Sequence, residues 1–264
     1  MNEVYKLHSQ LIKSGLHHDP LSLRRLLFLA CSASGSASYA SSLLLSSQSP
    51  DTVSWNTVIR FLSHSAPSRS VSLFYHMRSN SISLDHFTFP FVLKSCSHLH
   101  LDRRDLHSLI LKLGFDSDVY VQNSLISFYG SCGFLDFALK IFEEMPQRDL
   151  VSWSSMISCL VNNGFAFQAL NTFRQMQVDG NVKPDEVTVV KVISAVSRLG
   201  ALELGRWVHT FVRRNGLRIT VKLGTALIDM YSRSPNVSMP LAPGEGVEGV
   251  QEEGIVKGES MTDF

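Results

Sequence analysis

The sequence predicts an all-α fold, an α-solenoid built from stacked helix–turn–helix repeats. Two recurrences in the chain indicate this fold. The stretch VSWNTVI at 53–59 returns as VSWSSMI at 151–157. A second pattern, His followed by four residues, Lys or Arg, one residue and Gly, starts at His8, His107 and His209. Self-similarity at regular intervals is the signature of a repeat architecture rather than of a single globular core.

A shorter period lies inside the long one and defines the basic unit. Phe followed three residues later by Met occurs at Phe142 and again at Phe173, 31 residues further on. Within 150–185, apolar residues follow helical spacing in two stretches that are separated by Gly164. Each unit is therefore expected to be two short amphipathic helices joined by a turn. One such hairpin cannot bury both apolar faces, so neighbouring units must stack on it.

The same template predicts six complete units and two partial ones along the chain. Residues 1–20 match the second half of a unit, and 221–233 match the first helix of another. The complete units are 21–51, 52–85, 86–118, 119–149, 150–185 and 186–220. Three sub-types of unit follow one another in rotation, which explains why the His patterns are separated by 99 and 102 residues.

Composition excludes several other classes of protein. The formal net charge is only +1, so the chain has no overall electrostatic signature of a strong non-specific nucleic-acid binder. Its four cysteines are scattered without a Cys-x-x-Cys pair, which argues against a zinc site or a disulfide framework. Residues 26–50 carry no charge, but nine of them are Ser, so we expect a soluble helical pair there and no membrane span. Neither a secretory signal nor a transit peptide is visible at the N-terminus.

Two runs of sequence carry a resemblance to a known family. VYVQNSLISFYGSCGFLDFALKIFEEMPQRD at 119–149 and LVSWSSMISCLVNNGFAFQALNTFRQMQVDGNVKPD at 150–185 resemble the pentatricopeptide repeat family. HFTFPFVLKSCSHL at 86–99 is similar to the long repeats of the plant sub-class in which long, short and standard repeats alternate. The resemblance covers 1–233. It implies an α-solenoid that binds single-stranded RNA in plant mitochondria or chloroplasts.

The resemblance also implies which residues would face the RNA. In each unit a residue just after the aromatic position of the first helix is expected to face a shared groove, beside the residue that closes the unit. The groove residues are Arg25, Asn56, Pro90, Asn123, Ser154, Val190 and Thr225, and the closing residues are Asp51, Asp85, Asp118, Asp149, Asp185 and Thr220. One residue of each set would converge on one base, since helical repeats of this kind read about one base per repeat.

Three of these pairs receive a base assignment from the resemblance. Asn56 with Asp85 and Asn123 with Asp149 are similar to the uracil-preferring combination of the family. Ser154 with Asp185 is similar to the guanine-preferring combination.

The remaining groove residues receive no base. Pro90 and Val190 cannot hydrogen-bond a base edge, so their units are interpreted as spacers. Arg25 departs from the family pattern, and the unit at 21–51 is given no base. The expected ligand is therefore U, any, U, G, any from residue 52 onward.

Structural roles compete with these functional ones. An Asp before a helix is an ordinary N-cap, and capping is compatible with base reading. Trp55 and Trp153 could stack on bases, but their spacing favours the apolar core. The three recurring His residues, at 8, 107 and 209, favour a structural contact over catalysis because they recur with the repeat.

The sequence predicts a binding protein and not an enzyme. It has no His-x-Glu with a Cys-x-x-Cys, which a zinc deaminase requires, no phosphate loop and no Gly-x-Ser-x-Gly elbow. We expect no cofactor, no small-molecule substrate and no membrane association. The predicted function is sequence-selective binding of organellar RNA, in support of editing or processing factors that supply the catalyst. The alternative is a protein-interaction scaffold, since the same kind of groove can hold a peptide.

The last segment departs from the repeat pattern. Residues 234–264 hold six acidic residues against one Lys, with five Gly and three Pro, and we expect this segment to be disordered. The helix that should follow 221–233 is missing, so Ala226, Leu227, Met230 and Tyr231 are expected to be partly uncovered. The chain is interpreted as a truncated or alternatively spliced form.

Overall fold

The computed structural model describes residues 2–16, 19–32, 37–48, 50–101 and 104–233. Within those ranges the regular structure is helical and contains no strand, which confirms the all-α prediction. The helices are α1 (Asn2–Lys13), α2 (Pro20–Ser32), α3 (Ala37–Ser46), α4 (Thr52–Ser65), α5 (Pro67–Ser79), α6 (Thr88–His98), α7 (Arg104–Lys112), α8 (Val119–Ser131), α9 (Leu135–Glu144), α10 (Leu150–Asn162), α11 (Ala166–Asp179), α12 (Glu186–Leu199), α13 (Leu202–Arg214) and α14 (Val221–Ser232). The segment 234–264, which the sequence predicts to be disordered, lies outside the described residues.

The helices are arranged in two layers. In the first layer α2, α4, α6, α8, α10, α12 and α14 stack in series, each in contact with the next. In the second layer α3, α5, α9, α11 and α13 each pack beside the first helix of their own pair. This arrangement confirms the α-solenoid. Among the described residues, no helix combines the length and the apolar character that crossing a bilayer requires.

Most helices of the first layer begin at a side chain that caps them. The carboxylates of Asp51, Asp118, Asp149 and Asp185 each accept a hydrogen bond from the backbone N–H three residues further on. The hydroxyl of Thr220 does the same for α14. Each cap satisfies one of the otherwise unpaired N–H groups of the first turn and contributes about 1 kcal/mol to helix stability. The closing residues of the units are thus also the residues that start the next helix.

The core extends along the whole stack, and the tryptophans belong to it. Trp55 is 2% exposed and Trp153 is 3% exposed, which confirms the core assignment over base stacking. Trp153 meets Phe142 edge to face at a centroid distance of 5.1 Å. Both indole N–H groups are buried and have no hydrogen-bond partner among the described residues. Their contribution is therefore to packing.

The prediction that four residues of α14 are partly uncovered is wrong for two of them. The sequence predicts that Leu227 and Met230 of α14 are partly uncovered, yet they are 6% and 1% exposed. Both are covered because α14 packs against α12 and α13, where Gly205 leaves room for the Met230 side chain. Ala226 and Tyr231 are half-buried, in agreement with the expectation.

The three recurring histidines make structural contacts. Each ring Nδ1 lies within hydrogen-bond distance of a tyrosine hydroxyl. The pairs are His8 with Tyr39 at 2.6 Å, His107 with Tyr129 at 2.7 Å and His209 with Tyr231 at 2.9 Å. In the second and third pairs the tyrosine comes from the following first-layer helix, whereas Tyr39 lies on α3. The histidine therefore ties adjacent pairs of helices together, as the sequence predicts.

Close packing between first-layer helices predicts a steric effect at Gly130. A Cβ at this position would lie 2.5 Å from the Cys159 Sγ and 3.0 Å from its Cβ. Gly130→Ala should lower the free energy of unfolding by about 1 to 3 kcal/mol, because α8 and α10 must move apart. Gly224→Ala is the matched control, since its nearest neighbour would be at an ordinary 3.5 Å and alanine favours the helix. Urea unfolding measures both, and equal stability of the two variants would contradict the close contact.

Burial of the histidines predicts a loss of stability in acid. Burial lowers the pKa of His107, and burial together with nearby Arg213 lowers the pKa of His209. The unfolded chain, with a histidine pKa of about 6.5, then binds protons that the folded chain excludes, so the free energy of unfolding should fall as the pH drops below about 6.5. His107→Phe should make this dependence shallower. The exposed-residue variant His100→Asn should leave it unchanged, and an unchanged slope in His107→Phe would contradict the prediction.

Candidate nucleic-acid interface

The predicted groove residues lie near the starts of the first-layer helices. Counted from the capping residue, Asn56, Asn123 and Ser154 are each at the fifth position of their helix. Because these helices stack in series, the fifth residue of one helix lies towards the capping residue of the next. The stacking brings two of the three predicted pairs into hydrogen-bond contact.

Asn56 and Asp85 form the first pair and are fully engaged with each other and with Thr88. The Asn56 Nδ2 donates to the Asp85 Oδ1 at 2.8 Å, and the Thr88 hydroxyl lies 2.9 Å from the Asn56 Oδ1. The same Asp85 oxygen accepts from the backbone N–H groups of Phe87 and Thr88. Asn56 is only 7% exposed, so its amide is part of the helix–helix contact.

Asn123 and Asp149 form a second pair that is less completely engaged. The Asn123 Nδ2 donates to the Asp149 Oδ1 at 3.2 Å, but the Asn123 Oδ1 has no hydrogen-bond partner among the described residues. Ser152 directs both its N–H and its hydroxyl to the Asp149 Oδ1. Burial alone would raise the pKa of Asp149, but the hydrogen bonds from Ser152 and Asn123 outweigh it and lower the pKa. Asp149 is therefore a carboxylate at neutral pH.

Ser154 and Asp185, the third predicted pair, make no hydrogen bond with each other in the described structure. The Ser154 hydroxyl donates to the Val151 carbonyl oxygen at 3.3 Å. The Asp185 Oδ1 accepts from the N–H and the hydroxyl of Thr188. A serine side chain is too short to close the gap that asparagine bridges in the other two pairs.

The first unit is displaced by one residue from the sequence expectation. Asp19 accepts from the Ser22 N–H and so caps α2, which makes Arg24, and not Arg25, the fifth residue. Arg24 donates to the Asp51 carboxylate, as Asn56 does to Asp85, and its Nε lies 2.8 Å from Oδ2. Burial would raise the pKa of Asp51, but hydrogen bonds from Arg24 and Ser54 lower it. An ion pair thus replaces the amide–carboxylate pair in this unit.

A row of exposed apolar side chains accompanies the pairs, and the sequence reasoning missed it. The residue two positions after each capping residue is apolar and between 47% and 67% exposed along most of the array. These residues are Leu21, Val53, Phe87, Tyr120, Val151 and Val187. The signal is present in the sequence as an apolar residue three places before five of the seven predicted groove residues. Sequence spacing alone assigns it to the helix core, because apolar residues at the start of an amphipathic helix usually face inwards.

One of the predicted pairs and two side chains of the apolar row line a groove. A cavity of about 590 Å³ runs across α4, α6, α8 and α10. Asn123 and Asp149 line it, with Tyr120 on one side and Val151 on the other, and Pro90 lies further along. An amide and a carboxylate between two apolar side chains suit a flat ligand with hydrogen-bonding edges. Within the described ranges no group of three or more His, Cys, Asp or Glu residues could hold a metal ion.

Comparison with known proteins identifies the repeat. The model of the PPR repeat matches residues 123–150 and 151–181. Pentatricopeptide repeat-containing protein At3g22690 of Arabidopsis thaliana is 37% identical over 239 residues, which cover 88% of this chain and 28% of that protein. The chloroplastic protein At3g26630 of the same plant is also 37% identical, over 88% of this chain and 58% of its own length. The chain thus spans only part of the length of these relatives.

Solved structures add little to the sequence match. The crystal structure of the pentatricopeptide repeat protein PPR10 from maize is 16% identical to this chain, with a TM-score of 0.46, over 88% of this chain and 40% of that one. The family of this chain is therefore assigned from the sequence comparison.

The stacked helical hairpins define a helical-repeat protein. The family of this protein follows from its sequence match to plant relatives over most of the chain. The chain belongs to the pentatricopeptide repeat family.

The contact between Asn123 and Asp149 predicts unequal costs for two similar substitutions. Asp118→Ala removes only a helix cap and should lower the free energy of unfolding by about 1 kcal/mol. Asp149→Ala removes a cap and also leaves the buried Asn123 amide without a partner, so it should cost about 1 kcal/mol more. Urea unfolding of both variants makes the comparison. Equal losses would mean that the 3.2 Å hydrogen bond between Asn123 and Asp149 contributes nothing to stability.

Proposed function

We propose that the chain binds single-stranded RNA with base selectivity through this groove. Asn56 with Asp85 and Asn123 with Asp149 are assigned to uracil, and Ser154 with Asp185 is assigned to guanine. The observation that supports the proposal best is the Asn123–Asp149 pair, whose edge lies in the groove between the exposed Tyr120 and Val151. Unpaired bases offer both a hydrogen-bonding edge and a flat apolar face, which match these two features.

The hydrogen bonds within the second pair leave acceptors for a base. Asn123 and Ser152 both donate to the Asp149 Oδ1, so the second oxygen of this exposed carboxylate can accept the imino N–H of uracil. The Asn123 contact, at 3.2 Å, is at the long end of the range for an N–H···O bond and can rearrange at low cost. The Asn123 Oδ1 is buried and has no partner in the described structure, so a base that supplied one after the amide rearranged would remove a penalty.

The two uracil pairs are not equivalent on this account. Asn56 has a partner on both amide atoms, at 2.8 Å from Asp85 and 2.9 Å from Thr88. A base must displace one of these short bonds before it can bind the amide. We therefore expect the Asn123 unit to discriminate between bases more strongly than the Asn56 unit, although both carry the same two residue types.

The proposal extends to the place and purpose of binding. Several relatives of this chain are named as chloroplastic or mitochondrial proteins of Arabidopsis thaliana. We infer that this chain acts on RNA in one of these organelles. It would support editing or processing by recruiting a separate catalyst, with no cofactor of its own.

Selection of bound sequences from a random RNA pool tests the proposal. Wild-type protein should enrich U at the base position assigned to Asn123, and Asn123→Ser should change the preference at that position towards G and leave the others unchanged. One hydrogen bond removed or exchanged is worth about 1 kcal/mol, so the change in preference should be roughly fivefold. Asn56→Ser should change a different position, and by less.

The control is Pro90→Ala, in a unit that receives no base. Neither side chain can hydrogen-bond a base edge, so this variant should bind the same sequences as the wild type. An unchanged pool in Asn123→Ser, or enrichment of no sequence by the wild type, would contradict base reading. Selective capture of an extended peptide by the wild type, without RNA, would instead support the scaffold alternative.

A further inference from the structure

Four basic or titratable side chains form a cluster on the wall of the same groove. The cluster consists of Arg60 and His64 on α4 with Lys94 and His98 on α6, and all four line the groove of about 590 Å³. They occupy equivalent places, nine and thirteen residues after Asp51 on α4 and after Asp85 on α6. All four side chains are exposed. Two neighbouring units therefore present the same ladder of positive charge.

The members of the cluster contact one another and no carboxylate. The Lys94 Nζ lies 3.1 Å from the His64 Nε2, and the rings of His64 and His98 are 6.5 Å apart. The guanidinium of Arg60 lies 5.8 Å from the centroid of the Phe91 ring. Among the described residues none of the four makes an ion pair, in contrast to Arg24 with Asp51 or Arg206 with Glu203. The charge of the cluster is therefore not neutralised by the protein.

The other basic side chains of the cluster disfavour the charged form of His64. The pKa of His64 is lowered, first by Lys94, then by loss of hydration, and then by His98 and Arg60. These groups come from α6 and from α4 itself. Among the described residues α2, α3 and α5, which also pack against α4, contribute no charged group to the shift. The cluster holds more positive charge than its surroundings stabilise, which is the condition for binding an anion.

The cluster does not continue onto the next two first-layer helices. On α8 the equivalent places hold Ser127 and Ser131, and on α10 they hold Ser158 and Asn162. The chain as a whole has a net charge of only +1, so the concentration of charge on α4 and α6 is local. The groove therefore has a cationic part on α4 and α6 and, further along, a part that holds the hydrogen-bonding pair of Asn123 and Asp149.

We propose that the cluster of Arg60, His64, Lys94 and His98 is a binding site for the phosphodiester backbone of single-stranded RNA. The inference rests on the proposed function and gives a role to the unit at 86–118, whose groove residue Pro90 cannot read a base. In that unit the protein holds the backbone and not the base. Lys94 and Arg60 supply charge-assisted hydrogen bonds to phosphate oxygens, and the backbone contact sets the register for the bases that the next units read.

The composition of the cluster makes phosphate binding depend on pH. A bound phosphate offsets the repulsion from Lys94, so the pKa of His64 rises when RNA binds. Binding then takes up a proton, and affinity should increase as the pH falls from about 7.5 to about 6, within the range where histidine titrates. The same linkage predicts a steeper dependence on salt at the lower pH, because one more cation faces the phosphate.

The test measures binding of the full chain to an RNA oligonucleotide that carries the preferred sequence, by fluorescence anisotropy over a range of salt concentrations. Lys94→Gln, and Arg60→Gln combined with Lys94→Gln, should weaken binding to all sequences alike. The slope of log K against log salt should become shallower by about 0.7 for each phosphate that the variant no longer neutralises. Lys140→Gln is the control, because Lys140 is exposed on α9 in the second layer, where it pairs with Glu144.

Two further measurements identify which phosphate binds and whether His64 causes the pH dependence. Replacing single phosphates of the oligonucleotide by neutral methylphosphonates should weaken wild-type binding at one or two linkages, and the double variant should not respond to those replacements. His64→Gln should remove most of the gain in affinity between pH 7.5 and pH 6, whereas Lys140→Gln should retain it.

The outcomes separate this inference from the function on which it rests. If Lys94→Gln and the double variant keep the wild-type slope while Asn123→Ser still changes the base preference, the phosphate site is wrong and the proposed function stands. If the wild type prefers no sequence but loses affinity in the double variant, base reading is wrong and the anion site stands. If the wild type binds no RNA, both fail.

Discussion

The capping carboxylates at the starts of the first-layer helices determine both how the helices stack and where the site lies. The Asp149 Oδ1 accepts the N–H and hydroxyl of Ser152, which starts α10, and it also accepts the Asn123 amide from the preceding helix α8. One oxygen atom thus joins a helix start to a helix–helix contact. The Asp85 Oδ1 makes the same double connection between α6 and α4 through Thr88 and Asn56. The same carboxylate therefore caps one helix and holds the amide of the predicted groove residue on the preceding first-layer helix.

On the proposed function, this double role limits how strongly a pair discriminates between bases. An amide that is only 6% or 7% exposed is oriented by its protein partners before any ligand arrives, which lowers the entropic cost of binding. Full engagement has the opposite effect, because a base must then compete with bonds that are already short. The Thr88 hydroxyl lies within hydrogen-bond distance of the Asn56 Oδ1 as well as of Asp85, whereas the Ser152 hydroxyl contacts Asp149 and leaves the Asn123 Oδ1 without a partner among the described residues. The residue three places after the capping carboxylate therefore modulates its pair without facing the groove.

Most of the fold follows from the sequence because the repeat specifies it several times. Helical periodicity, Gly and Pro at the turns and recurring His and Trp positions all predict the same hairpin, and their agreement identifies the stack before any contact is known. The register of the end units is harder to predict, because a unit with few characteristic polar residues gives no second indication of which residue caps its helix. In the first unit the capping role of Asp19 and the pairing of Arg24 with Asp51 are evident only from the stacked helices. The covering of Met230 likewise depends on how α13 approaches α14.

The site is predictable as a set of positions but not as a set of contacts. Sequence spacing places Asn123 near the start and Asp149 at the end of the same unit, yet it gives no means to tell that they touch while Ser154 and Asp185 do not. Likewise, Lys94 and His64 are 30 residues apart in the chain and 3.1 Å apart in the groove.

Side-chain length explains the difference between the pairs, since the stack holds successive helix starts at a separation that an asparagine bridges and a serine does not. The same fixed separation brings α4 and α6 close enough for two basic ladders to merge into one charged wall. A solenoid with uniform spacing can therefore alternate its functions along one groove by side-chain choice alone. On the functions proposed for this groove, units with a polar fifth residue read the base, and the unit that carries Pro90 holds the backbone.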